Sequence, residues 1–164
     1  MENRYLFRAK RIDNGEWVEG NLIQNSDAED GWEAIIIPTK NSNMFTKHIK
    51  HGYGDLGYEN WYRVDPSTIC QCTGLKDKNG KLIWENDIVS FEDTGEEGYE
   101  YKEGFDFVNK AKVEFAEGRW SLTDFVSDNS GVMDEMYDHA EFMEFWQYCE
   151  VIGNVFDNPE LLEV

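Results

Sequence analysis

Twenty-eight residues near the middle of the chain, Val64–Phe91 (VDPSTICQCTGLKDKNGKLIWENDIVSF), restrict the fold more than any other stretch. Asp65-Pro66 opens a turn. Thr68–Thr73 then alternates like a half-buried strand, which Gly74 breaks. Asn79-Gly80 is a tight-turn dipeptide between Leu75 and the apolar run Leu82-Ile83-Trp84. Glu85-Asn86-Asp87 makes a second sharp bend, and Ile88–Phe91 reads as a new strand. So many reversals over so few residues leave room only for short antiparallel strands. The stretch specifies shape and contains no recognisable reaction centre.

The flanking sequence repeats this grammar. Tyr5–Ile12 and Glu16–Ile23 form a hairpin pattern around Asn14-Gly15, two residues that tolerate positive φ, and Gly20 within the second arm predicts a bulge or a close backbone approach. Gln24–Gly31 is a polar loop. Trp32–Ile37 is too apolar for one exposed face and predicts a central strand buried on both sides, ended by Pro38. Lys40–Gly57 has weak periodicity and reads as a long loop with a short edge strand around Phe45–Ile49. Tyr58–Val64 is a further strand. Glu92–Asp106 holds seven acidic residues, three glycines and only Lys102 in opposition, which predicts a mobile loop.

Phe107–Phe115 alternates, with Phe107, Asn109, Ala111, Val113 and Phe115 facing one way, and turns through Ala116–Arg119 into a returning strand, Trp120–Phe125. Met133, Met136, Tyr137, Ala140 and Met143 fall near helical spacing. A helix is therefore expected within Asp134–Tyr148, most securely at His139–Gln147. Glu150–Phe156 is a last strand, with Gly153 a candidate bulge, and Asp157–Leu162 a capped final turn with Pro159 at an early position. These elements predict a mainly β, β-rich α+β fold: antiparallel, barrel-like or sandwich β with one C-terminal helix packed at an end. The chain reads as a single domain over 1–164, with room for two closely packed β subdomains meeting near residues 65–80.

Several quoted segments also carry a family resemblance. Thr73–Lys81 (TGLKDKNGK), Leu82-Ile83 and Glu85–Val89 resemble the signature segment of the YopX family of phage and prophage proteins. Tyr5–Ala9 resembles that family's opening strand, and Glu150–Val155 with Asn158–Leu162 its closing segment. The family usually has Gly where this chain has Asn86, and often Gly where it has Cys70. The resemblance implies a mainly β fold and a phage or prophage origin, and it implies no activity.

Composition narrows the function classes. A hydrophobic fraction of 40%, with 6 Trp, 8 Tyr and 10 Phe, is enough to build a core. No run approaches the roughly 18 apolar residues of a membrane span, and the charged start lacks a signal-peptide h-region. Three cysteines favour a reducing compartment, hence an expected cytoplasmic location, which the family resemblance implies is that of a bacterial host. The charge is lopsided. Residues 1–80 carry 12 acidic and 10 basic residues (net −2), and residues 81–164 carry 22 and 5 (net −17). Such a half repels nucleic-acid phosphate, so direct nucleic-acid binding is disfavoured. It reads either as a solubilising face or as a surface for a basic partner, including imitation of nucleic acid towards a DNA-binding protein.

Reaction chemistry is thin. His48 and His51 with Cys70 and Cys72 could in principle make a zinc set, but Cys-x-Cys is shorter than the usual ligand spacing and Lys50 separates the histidines. Asp77–Gly80 lacks the later ligands of a calcium loop and reads as a turn. Asp87, between two apolar runs, reads as a structural acceptor of backbone N–H bonds, and Cys149 as core. No nucleophile elbow, Walker loop or dinucleotide fingerprint occurs. No catalytic, cofactor or metal residues are therefore assigned. The leading expectation is a non-catalytic interaction module for a host or phage protein. Its binding residues would be Glu96, Glu97, Glu100, Glu103 and Asp106 in the acidic loop and Asp134, Glu135, Asp138, Glu141 and Glu144 on the helix. The alternatives are a metal- or small-ligand-binding protein or enzyme at the Lys40–Gly57 loop, and an oligomeric scaffold pairing through strand edges.

Overall fold

The computed structural model describes residues 5–25, 27, 33–48, 54–94, 106–132 and 144–163. The backbone gathers into two compact units, Met1–Cys72 and Thr73–Val164. The first contains β1 (Phe7–Lys10), β2 (Trp17–Gln24), β3 (Ala34–Pro38), β4 (Met44–His48), β5 (Gly54–Tyr58), β6 (Tyr62–Arg63) and the start of β7 (Cys70–Lys76). The second contains the rest of β7, then β8 (Leu82–Trp84), β9 (Asp87–Thr94), β10 (Asp106–Ala116), β11 (Arg119–Thr123) and β12 (Glu150–Asn154). Hydrogen-bonded order is β6-β3-β2-β1-β7-β8 in one sheet, β11-β10-β9-β12 in a second and β4-β5 in a third. The fold is mainly β with antiparallel sheets, as the pattern of turns and alternation requires.

In the first unit, inward residues alternate as period two demands. Ala9, Val18, Ala34, Ile36 and Val64 are buried, with Phe7, Leu22, Tyr62 and Ile69 packed against them. The Ala34–Ile37 run is central, between β2 and β6, and Ile36 is fully buried. The β1–β2 hairpin forms in the register Lys10↔Trp17. Its turn differs from the two-residue form expected, because only Gly15 takes positive φ (73°) and its N–H reaches back to Arg11 O at 2.9 Å. The Asn79-Gly80 turn behaves alike: Gly80 has φ 78° and donates to Asp77 O at 2.9 Å. In both, asparagine keeps ordinary φ and glycine alone supplies the left-handed residue. The two-residue turn with both φ positive is instead Glu117-Gly118 (52° and 81°), between the paired Ala116 and Arg119.

Four expectations need correction. No closed barrel forms among the described residues, since each sheet keeps distinct edge strands. β6 is only two residues long, and an outward N–H of β12, that of Val151, is taken by the Asp77 carboxylate instead of a strand. The C-terminal helix is not supported: no helix among the described residues reaches seven residues, and positions 133–143, most of the expected helix, lie outside them. After Phe145 the chain tightens through Gln147 N to Glu144 O and Tyr148 N to Phe145 O, then enters β12 at Glu150. Within the expected loop at Lys40–Gly57 the edge strand read around Phe45–Ile49 is present as β4, but the loop also holds a second strand, β5, paired with it. Its base is tied by Asn43 and Glu59 and by Ser42 Oγ donating to Asn60 O. Finally, Gly74 takes φ 79° but does not end its strand, which runs on to Lys76.

The bends of the central stretch are built as read. Asp65 caps the turn Pro66–Thr68, accepting from Ser67 N at 2.9 Å and Ser67 Oγ at 2.7 Å, bonds that hold its carboxyl below the ordinary value. At the second bend Asn86 has φ 64° and Asp87, fully buried, accepts from Trp84 N at 2.9 Å. Asn86 is therefore the left-handed residue of this bend. Replacing it by Gly is expected to leave stability within about 0.5 kcal/mol, and by Ala to cost about 1 kcal/mol or more. Urea unfolding of the two variants measures this, and an alanine variant as stable as the glycine one would contradict it. Gly153 marks a bulge in β12, where the register against β9 shifts between Val151 and Gly153. The closing turn, Pro159–Leu162, has Pro159 in its first turn as expected, but Asn158 caps it without a side-chain hydrogen bond.

Candidate functional site

The acidic segments singled out in the sequence spring from the far end of β9. Along β9 and β10 the inward positions are in phase: Val89 faces Ala111, Phe91 faces Asn109 and Asp93 faces Phe107. The first of these positions fill the core with Val113, Leu122, Val132, Phe145, Trp146 and Cys149. Asp93 continues the inward row, so a carboxylate sits where an apolar side chain would otherwise pack, and it is buried. A buried charge is tolerated only where hydrogen bonds replace water. Asp93 has them: Asn109 Nδ2 donates to Oδ2 at 2.9 Å, Ser130 Oγ to Oδ2 at 2.5 Å and Gly131 N to Oδ1 at 3.1 Å. Asn109, itself buried, also holds the backbone of Ser127 in both directions, giving to its C=O and accepting from its N–H, each at 3.1 Å.

This knot has a topological consequence. Thr94 and Asp106 are register partners, so the chain leaves β9 and re-enters β10 at one place. Gly131, clasped by Asp93, is two residues from the start of the second acidic segment. The end of that segment is fixed nearby in sequence along the same strand, because Phe145 packs edge-on against Phe91 with centroids 5.0 Å apart. Phe91 to Thr94 covers about 10 Å of strand at 3.3 Å per residue. Four chain ends are thus gathered on four residues of β9.

The predicted binding residues fall as follows. Asp106 opens β10, its backbone paired with Thr94. Glu144 is exposed, and its C=O accepts from Gln147 N at 3.0 Å. Glu96, Glu97, Glu100, Glu103, Asp134, Glu135, Asp138 and Glu141 lie outside the described residues. Asp93 was read from sequence as one more charge of the acidic loop. The signal that separates it is phase, because it continues the row Val89, Phe91.

The other candidate chemistries are placed by the same backbone. Asp77 is a buried acceptor: its Oδ1 takes Asn79 N and Lys81 N at 2.9 Å each, and its Oδ2 takes Val151 N at 3.1 Å. The side chains of Cys70, Cys72 and Cys149 are buried. Burial, then the charge of Asp77, pushes the Cys149 thiol up to about 12, so it is poorly suited to nucleophilic work near neutrality. His48 closes β4, and His51 lies outside the described residues. Among the described residues no group of three or more His, Cys, Asp or Glu is arranged to hold a metal, and no helix is long and apolar enough to cross a membrane.

Comparison with known proteins agrees with this architecture. No curated protein matches the chain. Among solved structures, the crystal structure of protein EF1440 from Enterococcus faecalis is similar over 96% of this chain and 96% of its own, at 25% identity and a TM-score of 0.50. The YopX protein family matches residues 6–163, which takes in both compact units and every strand of both sheets around the central stretch. The chain belongs to the YopX protein family.

Proposed function

We propose that this protein is a non-catalytic interaction module that binds a basic protein partner through the two acidic segments, residues 95–106 and 133–144. The partner class is a host or phage protein, including one that itself binds DNA, met in the bacterial cytoplasm. The observation supporting this reading is the Asp93 knot. Two segments that are separate in sequence are rooted on the same four residues of β9, and together they carry ten acidic side chains against Lys102. Rooting both segments on one short stretch of β9 puts their charges in one region of the chain, and attraction to a basic partner through such charges falls with salt, the screening length being about 8 Å at physiological ionic strength. Such a surface mainly raises the association rate and selects basic partners.

The test is capture from bacterial lysate on immobilised protein at about 0.05 M and about 1 M salt, with mass spectrometry of what is retained. A basic protein should be retained at low salt and released at high salt. Glu-to-Gln replacement at 96, 97, 100 and 103, or amide replacement at 134, 135, 138 and 141, should each weaken its capture about tenfold or more. Capture unchanged by salt, or unchanged by both sets of replacements, would rule this surface out.

A further inference from the structure

The turn between β7 and β8 does more than reverse the chain. Its closing bonds, Asp77 N to Lys81 O and Gly80 N to Asp77 O, hold Asp77 at the rim of the second unit. From there it reaches across 74 residues of sequence to the N–H of Val151 on β12. Next to it Lys78 N donates to Cys149 O at 2.9 Å, and Lys78 Nζ pairs with Glu150 at 2.8 Å. β12 is the edge of its sheet, bonded to β9 on one side only. Edge strands with free N–H and C=O groups recruit further strands, and folded proteins block them. A carboxylate blocks an edge well, because it accepts N–H bonds and offers no ladder of its own for a further strand.

We propose that the Asp77–Lys81 turn is a latch that seals the outer edge of β12 and shields Cys149. The two bonds to Val151 and Cys149 form its closure, and the Lys78–Glu150 pair, about half exposed on both sides, adds little. Cys149 is the natural reporter, because it is buried and its own C=O is one of the latched groups.

Asp77→Asn separates the latch from the turn. The amide keeps one oxygen for Asn79 and Lys81 but presents an NH₂ where Val151 N–H needs an acceptor. Two readouts follow it in the full chain: backbone amide exchange at Val151, and alkylation of Cys149 by N-ethylmaleimide resolved peptide by peptide from Cys70 and Cys72. Both are expected to rise together by about 10- to 100-fold, while exchange at Val113 and Ile36 stays unchanged. Unchanged Val151 exchange overturns the proposal, and so does an equal rise at Val113, which would make Asp77 a general core support. If Asp77→Asn does not fold, the unaltered protein decides through the urea dependence of exchange. A latch opens locally, with a shallower dependence at Val151 than at Val113. Identical dependence at the two sites overturns it.

Discussion

Gly20→Ala is expected to destabilise the first unit by about 3 kcal/mol or more, at or beyond the upper end of ordinary overpacking. A Cβ built on Gly20 would lie 2.1 Å from Ile37 O, 2.7 Å from Ile37 C and 2.8 Å from Pro38 Cα. All three are backbone atoms, so no rotamer change relieves the contact. Nor can the strand shift, because Gly20 is paired with Phe7 on one side and Pro38 on the other. Moving β2 away from β3 drives it into β1, and slipping its register by one residue turns Val18 out of the core. Amide exchange separates the units. Val18 and Ile36 should exchange at least about a hundredfold faster in the variant, with Val89 and Val113 unaffected. A variant within about 0.5 kcal/mol of the parent would show that the strands are not held this closely.

That glycine was legible from sequence as a bulge or a close approach, and it is the close approach. The hairpins, the buried Ala34–Ile37 strand, the Asp65 and Asp87 bends and the bulge at Gly153 were also legible, because each is set by neighbours within a few residues. What was not legible depends on partners far along the chain. β5, which the loop reading missed, pairs with β4 in a two-stranded sheet in which Met44, Phe45 and Tyr58 are exposed. A barrel was a fair reading of many short strands, but whether a sheet closes is decided at its edges, and the Asp77 contact to Val151 spans 74 residues. The helix reading rested on the spacing of Met133 to Met143, most of which lies outside the described residues. The described remainder, Glu144 onward, turns within one step into the core residues Phe145 and Trp146.

Acidity misled in a particular way. Counting charges assigns the aspartates to a surface, yet Asp77 and Asp93 are buried, as is Asp87, which its place in the bend had already marked as a structural acceptor, and each accepts backbone N–H bonds. Three short side chains thus serve as fixed acceptors where turns and loops meet the second sheet. A chain of net −19 uses part of its charge to build itself. Phase told them apart from the rest: Asp87 stands before Ile88 at a bend, and Asp93 lies on the row of Val89 and Phe91.

Among these, Asp93 should matter most. Asp93→Ala strands three donors in the interior, Asn109 Nδ2, Ser130 Oγ and Gly131 N–H, of which Asn109 keeps one other partner in Ser127 O. Hydrogen bonds to a charged acceptor contribute roughly 1.5–3 kcal/mol each, and relief from burying the carboxylate offsets part of their loss. The net cost is expected to be about 3–4 kcal/mol, read from urea unfolding followed by amide exchange at Val113. Asp93→Asn retains the shape and one acceptor oxygen, and Ser130 can rotate its hydroxyl to accept, so it should cost about half as much. The functional consequence is the sharper one. Removing a single charge of a net −19 scarcely alters the field, but it unties Ser130 and Gly131 and so frees one root of the second acidic segment. Asp93→Ala that remains folded should therefore lose capture of the basic partner about as much as neutralising four acids of either segment does. If it folds and captures normally, the gathering of the two segments at β9 is architecture alone.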